Sequence, residues 1–405
     1  MSHRAMHRRL LQLESLEHRS LLAGNVNVNV IGNTLQITGD GQDNQIAVIQ
    51  LGNQRYAVLG VNTTVNGPGN FEFAPNMNVS SIIANLGSGN DMLGLTNNAI
   101  ALGDLAEHAF GVDLESLLDI SLTDLQAELD QATQVNDFAL PGSLIVNGGD
   151  GDDLIGVVGD IGGVTRVNLG SGSGVQGSLN AFAIDGSSLQ REFAQVGGLI
   201  SVVGGSRSDF VGVYDVDVRS SILATLGEGA LNGVDLIRSN VGGSVLLTTG
   251  AGNDFLQAFD TNVKGALTAF LGDGQNSVQI DESAIGFATV ITGKHVDSID
   301  LIDTSIAYSL VVQTGGGDDL MTAQATNVGF NAALDFGAGN DVANLISSSF
   351  SYLLTVLMQL GNDHLSINDC SARLAALFGG FGQDQLTIGS PDLFALPYWD
   401  WEIEN

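Results

Sequence analysis

Cysteine is all but missing from this sequence. Cys370 stands alone among 405 residues, which excludes an internal disulfide framework and any zinc cluster built on cysteines. It lies in the apolar stretch LSINDCSARL, where a small buried side chain is expected. Basic residues are nearly as scarce, with 13 Lys and Arg against 45 Asp and Glu and a formal net charge of −32. Four of the 13 (Arg4, Arg8, Arg9 and Arg19) sit in the first stretch of chain, so the body is almost bare of cations. Nucleic-acid binding needs clustered Lys and Arg to displace counterions from phosphates, and an anionic membrane surface needs the same. Both partners are disfavoured. No apolar run approaches the roughly 18 residues of a spanning helix.

What the chain has in excess is glycine, 54 residues against 5 prolines. With 44% apolar and only 14% charged residues it is too hydrophobic for disorder and should fold around a long apolar core. From residue 250 onward the sequence divides into lines that open on the same turn, such as GAGNDFLQAFDTNVKGALTAFL and GGGDDLMTAQATNVGFNAALDF. Each line holds about 22 residues, a period that marks stacked repeat architecture. Looser copies start near Gly87, Gly149, Gly170, Gly204 and Gly227. Within a line, Gly-x-Gly-Asn-Asp is followed by an alternating apolar run, a polar corner and a second alternating run. Alternation with period two is strand pattern, and glycine supplies the positive backbone angles of tight turns. The reading is an all-β parallel β-helix of about 12 coils, a rod on the order of 55 to 60 Å long.

Two intervals exceed the period. Residues 98–137 contain Leu114, Leu117, Leu118, Leu125 and Leu129 at helical spacings with Thr123 as an N-cap, and are expected to form a helical side insertion. A smaller surplus falls around SSLQREFAQV. Residues 25–85 alternate strongly between turn residues and should cap the open end of a rod spanning 86–390. Residues 391–405 bring Tyr398, Trp399 and Trp401 together as a lid on the last coil.

Residues 1–24 are basic and interrupted by Glu14 and Glu17, unlike an ordinary signal peptide. The run Leu16-Glu17-His18-Arg19-Ser20-Leu21-Leu22-Ala23-Gly24, preceded by Arg8-Arg9, resembles the LEPR-XLL motif at the start of many large secreted or surface proteins of Planctomycetes. His18 stands where that family often has proline. The resemblance implies export and an extracellular or cell-surface location.

The acids at the turn carry the most specific signal. Asp91, Asp153, Asp209, Asp254, Asp297, Asp319, Asp341, Asp363 and Asp384 recur at one phase of the repeat. Stacked about 5 Å apart, such carboxylates repel one another by about 1 kcal/mol in water and several-fold more inside a protein. Either each caps its own turn through backbone N–H groups, or a hard cation sits between them. Gly-x-Gly-Asn-Asp resembles half of the RTX calcium repeat, with matches at Gly315-Gly316-Gly317-Asp318-Asp319 and Gly149-Asp150-Gly151-Asp152-Asp153. That resemblance implies Ca²⁺ at Asp91, Asp153, Asp254, Asp297, Asp319, Asp341 and Asp363, although RTX motifs recur every nine residues and these once per coil.

Polysaccharide-active enzymes share the inferred fold. Asp152 with Asp153 and Asp318 with Asp319 are formal catalytic pairs, but catalysis there needs a basic partner and a cleft walled by long loops. The six histidines form no metal spacing, and no Gly-x-Ser-x-Gly elbow or P-loop is present. The expected function is therefore non-catalytic, an extracellular structural or adhesive rod presenting an acidic face to a surface, matrix or glycan partner. A calcium-binding module and a polysaccharide lyase or hydrolase stand as the alternatives.

Overall fold

In the coil that opens at Gly250, the alternating run Phe255–Phe259 is a strand, and the polar corner and second run together form Asn262–Gly272. The first strand lies on one face of the rod, while the two ends of the second belong to a short second face and a longer third face. Phe255–Phe259 pairs in parallel and in register with Gly233–Ile237 of the coil before it and with Ser277–Asp281 of the coil after it. The computed structural model describes residues 24–404 except 53, 70, 74–77, 111–112, 114, 116–120, 122, 124–136, 172–178, 188, 190–192, 390–391 and 396–400. Strand makes up 61% and helix 3% of the chain, and the coils stack into a β-solenoid of about 11 turns. The fold is thus the stacked parallel architecture that the period implied.

Alternation fixes which side chains face inward. Leu256 and Ala258 on the first face, Val263 on the second and Leu267, Ala269 and Leu271 on the third are all at most 1% exposed. Register then places like against like, so Val234, Leu256, Val278, Ile299 and Met321 form one inward row. One contiguous core runs from Val26 to Leu386. Because each coil is only one strand spacing thick, its apolar residues are covered by the coils above and below, and no coil could bury them alone.

The corner between the first and second faces is made the same way in every regular coil. One residue takes a left-handed backbone angle, and the next turns a small polar side chain inward. Arg238, Asp260, Glu282, Asp303, Ala325, Ser347 and Asp369 have φ between 46° and 54°. The residue after each is Ser239, Thr261, Ser283, Thr304, Thr326, Ser348 or Cys370, all buried. The Thr261 N–H donates to Ser283 Oγ at 3.1 Å, Thr326 N–H to Ser348 Oγ at 3.0 Å and Ser348 N–H to Cys370 Sγ at 3.4 Å. Cys370 is buried as expected and stands where the other coils place a hydroxyl. Ala325 incurs the Cβ penalty of a left-handed angle and has no polar group to offset it. Ala325→Gly is expected to raise unfolding stability by about 0.5–1 kcal/mol in denaturant titration.

Both ends depart from the pattern. Asn27–Ile31 runs antiparallel to Thr34–Thr38, and Ile46–Gly52 antiparallel to Arg55–Gly60. Thr34–Thr38 and Gln45–Val48 nevertheless pair in parallel with Ser81–Asn85 and Met92–Leu95, so hairpins close the end of the first coil. At the other end Gln385–Thr387 pairs with Glu402–Glu404, and the Trp401 indole N–H donates to the Leu377 carbonyl at 3.2 Å. Tyr398 and Trp399 lie outside the described residues.

The helix in the insertion is Ala99–Phe110, earlier than the leucine spacing indicated. Its N-cap is Asn98, whose Oδ1 accepts the Ala101 N–H at 2.9 Å. Thr123, expected as a cap, is itself helical, whereas Leu114, Leu117, Leu118, Leu125 and Leu129 lie outside the described residues. Ala101 and Leu105 pack on the outer side of the first face against Val158, Ala183 and Tyr214. Glycine makes this approach possible, since a Cβ at Gly94 would come within 2.5 Å of Leu102.

Candidate functional site

The recurring aspartates are not presented to solvent. Asp91, Asp153, Asp209, Asp254, Asp297, Asp319, Asp341, Asp363 and Asp384 are all at most 2% exposed. Each lies beneath the glycine turn, with its Oδ1 turned toward the coil before it. The Asp297 N–H donates to Asp319 Oδ1, Asp319 N–H to Asp341 Oδ1 and Asp341 N–H to Asp363 Oδ1, each at 2.8 Å, and Asp363 N–H reaches Asp384 Oδ1 at 3.1 Å. Asp209 caps its own turn, its Oδ2 accepting the Gly205 N–H at 2.9 Å while Oδ1 accepts Asn180 Nδ2. For the others the expectation of an own-turn cap is corrected: the carboxyl caps a backbone donor of the preceding coil, and so ties coil to coil.

Four asparagines complete this ladder and were not recognised in the sequence. Asn44 precedes Asp91, Asn180 separates Asp153 from Asp209, Asn232 precedes Asp254, and Asn276 separates Asp254 from Asp297. Their signal was available in the phase of the repeat: Asn276 ends Gly272-Asp273-Gly274-Gln275-Asn276 where Asp254 ends Gly250-Ala251-Gly252-Asn253-Asp254. Where the residue before a ladder position is polar, as at Asn90, Asn253, Asp318, Asn340 and Asn362, it reaches the opposite way. Asp318 Oδ1 accepts the Asn340 N–H, Asn340 Oδ1 the Asn362 N–H and Asn362 Oδ1 the Gln383 N–H, at 2.7–3.0 Å. In the Asn-Asp pair, then, one side chain holds the next coil and the other the previous one. The glycines let turns close on each other: Gly274 has φ of 132°, and a Cβ there would meet the Gly252 carbonyl oxygen.

Burial has an electrostatic consequence. The second oxygen, Oδ2, of Asp91, Asp153, Asp254, Asp297, Asp319, Asp341, Asp363 and Asp384 is shut from solvent with no hydrogen-bond donor pointed at it. Thr249, Thr292 and Thr314 stand within reach of Asp254, Asp297 and Asp319, but their hydroxyls donate to the carbonyls of Leu271, Thr314 and Phe336. A protonated carboxyl suits this arrangement better than a carboxylate, because its O–H can donate to the threonine oxygen. Desolvation pushes Asp91, Asp209, Asp319 and Asp363 up to about 6, and Asp153 and Asp341 up to about 7. Nearby Asp40 and Asp43 raise Asp91 further, Asp150 and Asp152 raise Asp153, and Asp318 raises Asp319, Asp341 and Asp363. Asp254 and Asp297 are also raised by burial, against the lowering effect of Thr249 and Asn232 on the first and of Thr292, Asn276 and His295 on the second.

Calcium takes six to eight oxygen ligands. Eight ladder carboxyls keep one oxygen without a donor, whereas Asp209 uses both, and among the described residues no group of three or more His, Cys, Asp or Glu is placed to hold a metal. Neither formal catalytic pair stays together as a pair of exposed acids. Asp153 and Asp319 belong to the ladder, Asp152 faces Arg207 at 3.1 Å, and Asp318 holds Asn340.

Two outward features were not anticipated. The left-handed corner forms an acidic edge at Asp260, Glu282 and Asp303, all exposed. Beside the surplus segment noted around Phe193 it borders a cleft of about 530 Å³, lined by Asp215, Arg238, Asp260, Asn262 and Glu282. Arg238 is held there by Asp215 through Nε at 2.8 Å and a second, shorter contact from Nη2. On the far side of the second face, exposed aromatic rings line the entry to the third. Phe287 stacks on Tyr308 at 4.5 Å and Phe330 on Tyr352 at 5.2 Å, with the Arg373 guanidinium 5.7 Å from the Tyr352 ring centre. These rings are 39–54% exposed.

No helix among the described residues is long and apolar enough to cross a membrane. Comparison with known protein families, with characterised proteins and with solved structures finds no match for this chain. The class defined here is a parallel β-solenoid whose turn acids form a buried ladder.

Proposed function

We propose that the chain is a non-catalytic structural or adhesive rod, placed outside the cell or on its surface, that presents an acidic edge to a surface, matrix or glycan partner. One observation carries the reading. The residues that repeat most strictly, the Asn-Asp pair and the turn glycines, join coil to coil, leaving long regular outer surfaces as the product of the fold. The edge at Asp260, Glu282 and Asp303 is a line of three exposed carboxylates at coil spacing, suited to a partner bearing repeated cationic groups. The only support for the location is the N-terminal resemblance, which falls outside the described residues.

A pull-down on amine-bearing and carboxylate-bearing matrices, with a glycan turnover panel run beside it, tests the reading. Retention on the amine matrix, released by salt and weakened in the double variant Asp260→Asn/Glu282→Gln, is the expected result. Cleavage of any glycan, abolished by the same variant, would replace the rod with an enzyme acting in the cleft. Calorimetry with Ca²⁺ and with EDTA is expected to give the same melting temperature. A rise with Ca²⁺ that EDTA reverses would make the protein a calcium-binding module.

A further inference from the structure

The third face differs from the rest of the surface in its charge. Its outward positions form two rows along the rod. The row from Leu223 through Thr268 and Val311 to Ala376 carries no charged residue across eight coils. The row beside it, from Val203 through Phe270 and Ile291 to Phe378, carries only Asp335. Gln359 Nε2 donates to that carboxylate at 2.7 Å. The stacked rings Phe287, Tyr308, Phe330 and Tyr352 stand at the entry beside Arg373, and Leu360 and Phe381, the latter 81% exposed, stand at the exit beyond the Lys294–Asp273 pair. Rows of this length with a single carboxylate, flanked by exposed aromatic and aliphatic side chains, mark an interaction surface.

We infer that this face binds a second copy of the same chain, the two rods packing face to face. Charge selects the partner. Another copy brings the same net charge of −32, and the first face and its corner oppose it with Asp235, Asp300, Asp260, Glu282 and Asp303. The third face is where two such molecules meet without setting acid against acid. Size agrees: eight coils at the strand spacing give about 40 Å, and both margins together give about 20 Å of width, or about 800 Å² per copy. That matches the area of a standard stable interface. A two-fold arrangement uses the same patch on both copies, and regular rows of threonine and aliphatic side chains are complementary to themselves. The aromatic margin supplies the flat, rigid anchors that dominate association energy.

Sedimentation velocity of the full chain from low to high micromolar concentration tests this. A dimer is expected, tightened by added salt because screening removes only the residual repulsion between acidic bodies. Val311→Asp and Thr289→Arg place a charge in the middle of the row and should each weaken association at least tenfold. Thr322→Asp, outward on the first face, should not. Circular dichroism melting confirms that each variant folds. A monomer at every concentration would overturn the inference and leave the face to a glycan or another protein. A dimer indifferent to Val311→Asp and Thr289→Arg, or one that EDTA dissolves, would equally overturn it.

Discussion

Acidifying this protein from pH 8 to pH 5 is expected to raise its melting temperature. Most soluble domains lose stability over part of that range because their carboxylates are better solvated or paired when folded. Here the order is reversed. Asp91, Asp153, Asp209, Asp319, Asp341 and Asp363 hold their protons to about 6 or 7 in the folded chain, against an ordinary value of 3.8. Between those limits the folded state binds more protons than the unfolded one, so stability grows as the pH falls through 7 and 6 and levels off below 4. A carboxyl protonated up to about 7 instead of 3.8, as at Asp341, gains on the order of 4 kcal/mol across the whole window. Several such groups act together, so a gain of several kcal/mol in all is expected. Thermal melts across the range check it, and a melting temperature that falls steadily from pH 8 to pH 5 contradicts it.

The second large effect separates the two jobs of a ladder residue. Asp341→Ala removes the acceptor of the Asp319 N–H and leaves a void among buried neighbours. A loss of about 2–4 kcal/mol is expected at pH 5, from the unsatisfied donor together with the cavity, and a smaller loss at pH 8, where the variant also escapes the cost of the buried charge. Asp341→Asn keeps the acceptor and removes the ionisable group. The structure already shows how an asparagine fits this position, since Asn276 Nδ2 lies 3.1 Å from both the Gly272 and the Gly274 carbonyl oxygens. Gly337 and Gly339 occupy the equivalent positions beside Asp341. Asp341→Asn should therefore be close to neutral at pH 5 and stabilising by about 1–3 kcal/mol at pH 8. Denaturant titrations of both variants at both pH values provide the measurement. A loss in Asp341→Asn equal to that in Asp341→Ala would mean that the charge itself is required.

Much of the fold was legible because the chain repeats its chemistry at a fixed phase. Once lines beginning at Gly250, Gly272 or Gly315 are aligned, alternation decides which residues face inward, and stacking follows. The depth of the acids was not legible. An aspartate in a glycine-rich turn reads as exposed, and nothing local reveals that the neighbouring coil closes over it. Counting acids alone also hid Asn180, Asn232 and Asn276, because an amide oxygen accepts the same backbone N–H that a carboxylate does, and Asn44, which starts the ladder by donating to Asp91. In the insertion the described helix starts at the ordinary cap Asn98, which the leucine spacing did not single out. Phe287, Tyr308, Phe330 and Tyr352 are separated by about one repeat each, so they gather into a margin only when the coils are superposed.

The account rests most heavily on aspartates enclosed between coils and protonated there. Carbon-13 NMR of the aspartate carboxyl groups, followed through a pH titration of the folded protein, measures this residue by residue. Asp153, Asp319, Asp341 and Asp363 should change state around pH 6 to 7, well above the exposed aspartates. If all of them titrate near 4 along with the surface acids, the carboxyls are open to water and the buried ladder does not exist.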